Sequence, residues 1–152
     1  MGASMKKLNV LLVSLMIVAA FVIGGILQQP ALAAEEAQEQ GPDIAIIWTS
    51  GDREVALNMV FMYALNAKRR EWANQVELVV WGPSAKLLSH DVELQEQVAA
   101  MHEAGVVFKA CKACSDGYGV SDKLQELGVD VKYMGVELTE YIANPGWHTI
   151  TF

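Results

Sequence analysis

The stretch Asp43-Ile44-Ala45-Ile46-Ile47-Trp48-Thr49 decides the fold of this chain, because five consecutive apolar residues stand between its two polar ends. A continuous apolar run without polar alternation is typical of a strand that is buried on both faces of a parallel sheet. Four further short stretches are rich in β-branched or aromatic residues: Val76–Trp81, Val106–Ala110, Val129–Met134 and Trp147–Phe152. We therefore predict five strands.

Helical patterns separate these strands. The longest runs from Arg53 to about Ala73, and a short helix starts at Ser84–Leu88. Leu94, Val98 and Met101 then repeat at helical spacing up to Gly105, where glycine suits a helix end. Shorter helices are predicted at Ser121–Leu127 and Leu138–Ala143. Strands that alternate with helices predict an α/β fold with a mostly parallel, five-stranded sheet.

The long helix is apolar nearly all round. With 3.6 residues per turn, Val55, Met59, Met62 and Tyr63 share one face, and Phe61 falls on the other side. A helix that is apolar on several sides is buried on several sides, so the pattern predicts that copies of this chain assemble.

The first 34 residues have the layout of a secretory signal peptide. Two lysines precede the apolar stretch Leu8–Leu27, and Ala31-Leu32-Ala33 forms a small-x-small cleavage pattern. An apolar stretch of about 20 residues is also long enough for an uncleaved membrane anchor. Either reading predicts a periplasmic or secreted protein. Residues 35–42 are polar and are interpreted as a linker, so the folded domain is predicted at 43–152.

The net negative charge of the chain excludes one class of binding partner, nucleic acids. The formal net charge is −7, with 18 acidic and 11 basic residues. A nucleic-acid-binding protein requires a basic surface, and the sequence has none, so we predict no nucleic-acid partner.

The only two cysteines, Cys111 and Cys114, directly follow the third predicted strand. The carboxyl ends of parallel strands are where ligands and chemistry gather. A thiol at the start of a following helix has a stabilised thiolate, and Lys109 and Lys112 are expected to act in the same direction. Two thiols at this spacing suit a disulfide, a soft metal such as Cu(I), or sulfur chemistry.

Other candidate ligands are less convincing. His90, His102 and His148 are not spaced as partners of the cysteine pair in a zinc site. Two loops that follow strands, Ser50-Gly51-Asp52 and Gly82-Pro83-Ser84, have supporting value for the same cleft, although ordinary turn chemistry explains them. Neither loop has the phosphate-loop pattern, and we predict no cofactor.

The order of these elements resembles the DsrE/YchN-like group of sulfur-relay proteins. The resemblance covers residues 43–152. It rests on five features: the strand Ile44-Ala45-Ile46-Ile47 with its long helix, Gly82-Pro83-Ser84-Ala85-Lys86-Leu87-Leu88, the strand-then-Cys junction, Tyr118-Gly119-Val120 leading into Asp122-Lys123-Leu124, and the ending from Leu138-Thr139-Glu140-Tyr141 through Trp147 to Phe152.

The resemblance implies a three-layer α/β fold, homo-oligomers such as trimers or hexamers, and a carrier of sulfane sulfur. In sulfur-carrying members the reactive cysteine stands about eight positions before a Gly-Val pair, which assigns the persulfide to Cys111. Cys114 departs from the single-cysteine pattern, and we expect it to assist transfer or release. The implied partners are sulfur donor and acceptor proteins or small sulfur compounds. A Cu(I)-binding module and a non-catalytic subunit with a structural disulfide remain the alternatives.

Overall fold

The computed structural model describes residues 41–152. The signal peptide or anchor predicted for residues 1–34 lies outside the described residues, as do residues 35–40 of the predicted linker. Within residues 41–152, no helix combines the length and the apolar character that a membrane crossing requires.

The described residues form one five-stranded sheet in which every neighbouring pair of strands is parallel. The order across the sheet is β4-β3-β2-β1-β5. The strands are β1 (Asp43–Trp48), β2 (Val76–Val80), β3 (Val107–Cys111), β4 (Asp130–Lys132) and β5 (Trp147–Thr151). The predicted α/β class and five-stranded sheet are confirmed. The third strand is shifted by one residue from its prediction, so that Cys111 is its last residue.

Eight helical segments connect the strands in this part of the chain. They are α1 (Arg53–Val55), the π-helix π1 (Ala56–Phe61), α2 (Met62–Arg69), α3 (Pro83–His90), α4 (Val92–Glu103), α5 (Lys112–Tyr118), α6 (Ser121–Glu126) and α7 (Gly135–Ala143). The continuous helix predicted up to Ala73 ends earlier, because Arg70 leaves helical geometry and Glu71 has a positive φ of 57°.

The strand order explains the layers. The chain moves in one direction from β1 to β4 and then returns to place β5 beside β1. Crossovers between parallel strands are right-handed, so reversing the direction places the last helix, α7, on the opposite face of the sheet. The first face carries the larger core, and the second carries a smaller cluster that contains Cys111, Met134 and Tyr141. The result is a three-layer α/β fold.

The π-helix corrects the prediction for the first helix. The sequence predicts burial on several sides of this helix, but Met59 and Met62 on one apolar face are 46% and 55% exposed, whereas Phe61 on the other side is 1% exposed. In a π-helix each residue advances by a smaller angle than in an α-helix, because the hydrogen bonds close i→i+5 turns. This rotation turns Phe61 inward, where it packs edge-on against Trp48 and Phe108.

Candidate functional site

The two thiols lie together at the carboxyl edge of the sheet. Cys111 ends β3 and is the residue before helix α5, and Cys114 lies in the first turn of that helix. Both cysteines are free, and the Cys114 thiol donates a hydrogen bond to Cys111 Sγ at 3.0 Å. A disulfide requires about 2.05 Å between the sulfurs, so these two sulfurs are in contact without a covalent bond. The sequence prediction that brings Cys111 and Cys114 to this edge agrees with their position.

The two sulfurs differ in exposure. Cys111 is 5% exposed and belongs to the cluster on the second face of the sheet, with Val79 and Met134. Cys114 is half-buried at the margin of the same cluster. The Cys114 sulfur is therefore more accessible to a ligand from solvent. The Cys111 sulfur is more deeply buried and accepts the hydrogen bond from Cys114.

Burial raises the pKa of the Cys114 thiol above its ordinary value, and its hydrogen bond to Cys111 acts in the same direction. The backbone N–H of Gly82 points to the Cys114 sulfur and lowers this pKa, but it does not outweigh burial. The sequence led us to expect an activated thiolate, and for Cys114 the direction is the opposite. The thiol form of Cys114 is therefore the form that the site stabilises.

The two flanking lysines do not act as predicted. The ammonium of Lys112 pairs with Asp116, with the closest contact at 2.7 Å. The ammonium of Lys109 forms ion pairs with Glu77 and Glu137. Each cation is thus engaged by a carboxylate. Asp116 lies four residues after Lys112 on the same helix, whereas Glu77 and Glu137 come from β2 and α7, which the local sequence around the cysteines does not reveal.

Lys109 is the centre of a buried polar cluster formed by Lys109, Glu77, Glu137, Tyr141 and Lys132, which we call the α7 ion cluster. Glu137 also accepts from Lys132 at 2.7 Å. The Tyr141 hydroxyl donates to Glu77 and lies 2.9 Å from Glu137. The cluster joins β2, β3, β4 and α7, and so fixes the helix that follows Met134, a neighbour of Cys111.

The charges in the α7 ion cluster perturb one another. Burial alone raises the pKa of Glu137, but hydrogen bonds from Lys109, Lys132 and Tyr141 outweigh it and lower the pKa to about 2. Burial and the two neighbouring carboxylates raise the pKa of Tyr141. The cluster therefore holds the Glu137 carboxylate charged and the Tyr141 phenol neutral.

The loop Gly82-Pro83-Ser84 contributes more to the site than its sequence indicates. Ser84 is fully buried, and its hydroxyl donates to Trp48 O at 2.6 Å and accepts from the N–H of Trp81 at 3.0 Å. It thus ties together the carboxyl ends of β1 and β2. Gly82 has φ 70° and ψ −130°, a conformation that favours glycine.

Replacing Gly82 with alanine is expected to destabilise the protein by about 1–3 kcal/mol. No atom lies within 4 Å of the added Cβ, so the cost comes from the backbone conformation and not from a steric clash. Chemical denaturation measures it. Gly117→Ala is the matched control, because Gly117 lies in helix α5, also has open space around the added Cβ and has no positive φ. Equal stability of the two variants would contradict the prediction.

A pocket of about 600 Å³ opens at the same edge of the sheet, and neither thiol is among its lining residues. Sequence reasoning identified Gly51 and Pro83 only as loop residues and missed the rest of this pocket. Its lining residues are Gly51, Pro83, Lys86, Leu87, His90, Asp91 and Tyr118. The signal that could have found them is topological, since the residues that follow parallel strands meet at one edge of the sheet.

A metal centre is poorly supported by the site. Within residues 41–152, no group of three His, Cys, Asp or Glu side chains is arranged to hold a metal ion. With metal–sulfur bonds of about 2.3 Å, sulfurs 3.0 Å apart would subtend an angle of about 80° at the metal, far below a tetrahedral angle. The thiols would have to separate before they could bind a metal. His90 lines the pocket, and His102 packs against Phe108.

The protein is therefore a small α/β protein with two neighbouring cysteines at the carboxyl edge of a parallel sheet. The model of the DsrE/DsrF-like family matches residues 31–152, and the chain belongs to that family. Membership in this family points to a sulfur-relay-like role. No curated protein matches the chain.

Three solved structures are similar to this chain. A conserved protein of unknown function from Bacteroides thetaiotaomicron is 35% identical with a TM-score of 0.70, and the match covers 73% of this chain and 95% of that one. The ychN protein from E. coli is 20% identical with a TM-score of 0.58, over 73% of this chain and 99% of that one. A protein of unknown function from Methanobacterium thermoautotrophicum is 24% identical with a TM-score of 0.59, over 72% and 99%. The last two support the fold alone.

Proposed function

We propose that this protein is a sulfur carrier that accepts sulfane sulfur as a persulfide on Cys111, with Cys114 assisting its release. The observation that supports this most directly is the contact between two reduced thiols at 3.0 Å, at the carboxyl edge of a DsrE-type sheet. A thiol carrier requires a nucleophilic sulfur, a neighbouring thiol and a partner that presents the donor sulfur. This site supplies the first two, with Cys111 buried beside the half-buried Cys114.

In the loading step, the Cys111 thiolate attacks the terminal sulfur of a donor persulfide, R–S–SH. The new S–S bond forms as the S–S bond of the donor breaks, and the donor leaves as the thiolate RS⁻. The product is Cys111–S–SH, so sulfur and charge balance without an added oxidant. The thiolate of an acceptor protein or small thiol can remove the outer sulfur by the reverse of this exchange.

In the release step, Cys114 acts on the same persulfide. Its thiol first loses a proton to solvent, and its thiolate then attacks Cys111 Sγ, which expels HS⁻ and leaves a Cys111–Cys114 disulfide. An external thiol reductant restores the two thiols. The raised pKa of Cys114 keeps this step slow at neutral pH, which gives an acceptor time to take the sulfur.

The proposal includes the setting of the protein. The leader pattern in residues 1–34 favours a periplasmic or secreted location. Self-association is supported by apolar side chains on the outer side of helix α7, where Val136 and Ile142 are 72% and 70% exposed. In such a homo-oligomer, helix α7, which covers the second face of the sheet, would lie against a neighbouring copy of the chain.

Mass spectrometry of the reduced protein tests the proposal. After anaerobic exposure to glutathione persulfide, the intact mass is expected to rise by about 32 Da for each sulfur atom, and peptide mapping is expected to place it on Cys111. Heating the loaded protein with dithiothreitol should remove the added mass. Because the wild-type protein can convert to a disulfide by releasing sulfide, the decisive sample is Cys114→Ser, and a Cys114→Ser protein that gains no sulfur would refute the carrier role.

The same samples distinguish the alternatives. A Cu(I)-binding module would retain one copper per chain after gel filtration and would lose it in a Cys114→Ser variant. A structural disulfide would resist reduction by glutathione and would affect only stability. Either result, together with no added sulfur, would replace the proposed function.

A further inference from the structure

The pocket at the carboxyl edge of the sheet contains an unpaired cation. Lys86 lines it from helix α3, is exposed, and forms no ion pair with any residue in 41–152. Asp91, the acidic residue in the lining, is engaged, because it accepts from Arg53 at 2.9 Å and from the N–H of Leu94 at 3.1 Å. The pocket therefore offers one available positive charge in a chain whose net charge is −7.

The remaining walls suit a small organic molecule. Pro83, Leu87 and the Tyr118 ring supply apolar surface. The imidazole of His90 also lines the pocket, and its Nδ1 lies 2.7 Å from Ser89 Oγ and 2.8 Å from Lys86 O. A volume of about 600 Å³ lies within the usual range for small-molecule sites.

Two of the lining residues connect the pocket to the thiols. Pro83 follows Gly82, whose N–H points to the Cys114 sulfur. Tyr118 lies four residues after Cys114 in helix α5, so the two side chains share one side of that helix. A molecule that fills the pocket therefore lies on the side of helix α5 that carries Cys114, the more exposed of the two thiols, which is not itself a lining residue.

We propose that this pocket binds the carboxylate-bearing part of a low-molecular-weight thiol, which delivers or receives the sulfane sulfur. Lys86 pairs with the carboxylate, the apolar walls hold the rest of the molecule, and its sulfur lies toward the cysteine pair. This inference rests on the proposed function and specifies its substrate class as an anionic thiol persulfide, not a protein persulfide.

Binding of S-methylglutathione, which cannot transfer sulfur, tests the pocket separately from the chemistry. Titration calorimetry on the wild-type protein is expected to show saturable binding that weakens about fivefold in Lys86→Gln, because one ion pair at a partly exposed site is lost. Lys123→Gln is the matched control, since Lys123 pairs with Glu126 on helix α6 and does not line the pocket. The diethyl ester of the ligand should bind both proteins equally weakly.

Sulfur loading distinguishes the failure of the pocket from the failure of the carrier role. In Lys86→Gln, the concentration of glutathione persulfide that gives half-maximal loading is expected to rise about fivefold, with the same final mass. Wild-type loading with no change in Lys86→Gln, or no binding of S-methylglutathione, would overturn the pocket inference and leave the carrier role standing. Absence of loading in wild type with ligand binding intact would overturn the carrier role alone.

Discussion

Cys111→Ser is expected to abolish sulfur loading, whereas Cys114→Ser is expected to retain it. A serine hydroxyl does not ionise at neutral pH and cannot displace a thiolate from a persulfide, so the first substitution removes the nucleophile. The second keeps the nucleophile and removes the thiol that lies 3.0 Å away. Loaded Cys114→Ser should therefore accumulate the persulfide, while the wild-type protein slowly converts to a disulfide and releases sulfide.

Intact-mass measurements over time, together with a sulfide assay, follow both outcomes. Because Cys111 is only 5% exposed, a serine there could also disturb packing. Cys111→Ala is the second variant, since it removes the sulfur without burying a hydroxyl, and thermal unfolding reports whether either protein is damaged. Sulfur found on Cys114 in the well-folded Cys111→Ala protein would contradict the assignment and reverse the two roles.

The second large effect is expected at the α7 ion cluster, where Lys109→Met should cost about 3–5 kcal/mol of stability at pH 7. The Lys109 side chain is 12% exposed and bridges Glu77 and Glu137, whose side chains are 11% and 21% exposed. Removing the cation leaves two nearby buried carboxylates with like charge. Urea denaturation at several pH values measures the loss.

The pH dependence has a defined sign. The pKa of Glu137 is lowered to about 2 from an ordinary value of 4.5. Its contribution to stability is therefore complete above about pH 4.5 and is lost as the pH falls toward 2, when the folded state also takes up the proton. The stability gap between wild type and Lys109→Met should accordingly be largest near neutral pH and should narrow between about pH 4.5 and pH 2.

Lys112→Met provides the control. The Lys112 and Asp116 side chains are 39% and 44% exposed, and an ion pair at the surface is worth about 0–1 kcal/mol. The same substitution there should change stability little at any pH. A gap for Lys109→Met that stays constant from pH 7 to pH 3 would show that lost packing, and not the charge balance, causes its destabilisation.

The amino-acid sequence alone was sufficient to predict the α/β class of the fold and the position of the two thiols at the end of the third strand. Short apolar runs such as Ile44–Trp48, rich in β-branched residues and bounded by polar ones, are typical of buried strands, and parallel strands bring the residues that follow them to one edge of the sheet. These features could be predicted because each depends only on a few residues that are neighbours in the chain. The prediction placed Cys111 and Cys114 at the end of β3, as the structure has them.

Tertiary structure decided the properties that depend on distant residues. Lys109, one of the two cations expected to activate the thiols, is neutralised by Glu77 and Glu137 from other elements, and Lys109 and Glu77 are 32 residues apart in the chain. The inward turn of Phe61 depends on a π-helix that apolar periodicity does not reveal. The pocket exists only because α3, α5 and two loops meet at one edge of the sheet. The neutralisation of Lys109, the inward orientation of Phe61 and the pocket all arise from packing between elements that are distant in the chain. For that reason only the folded chain defines them.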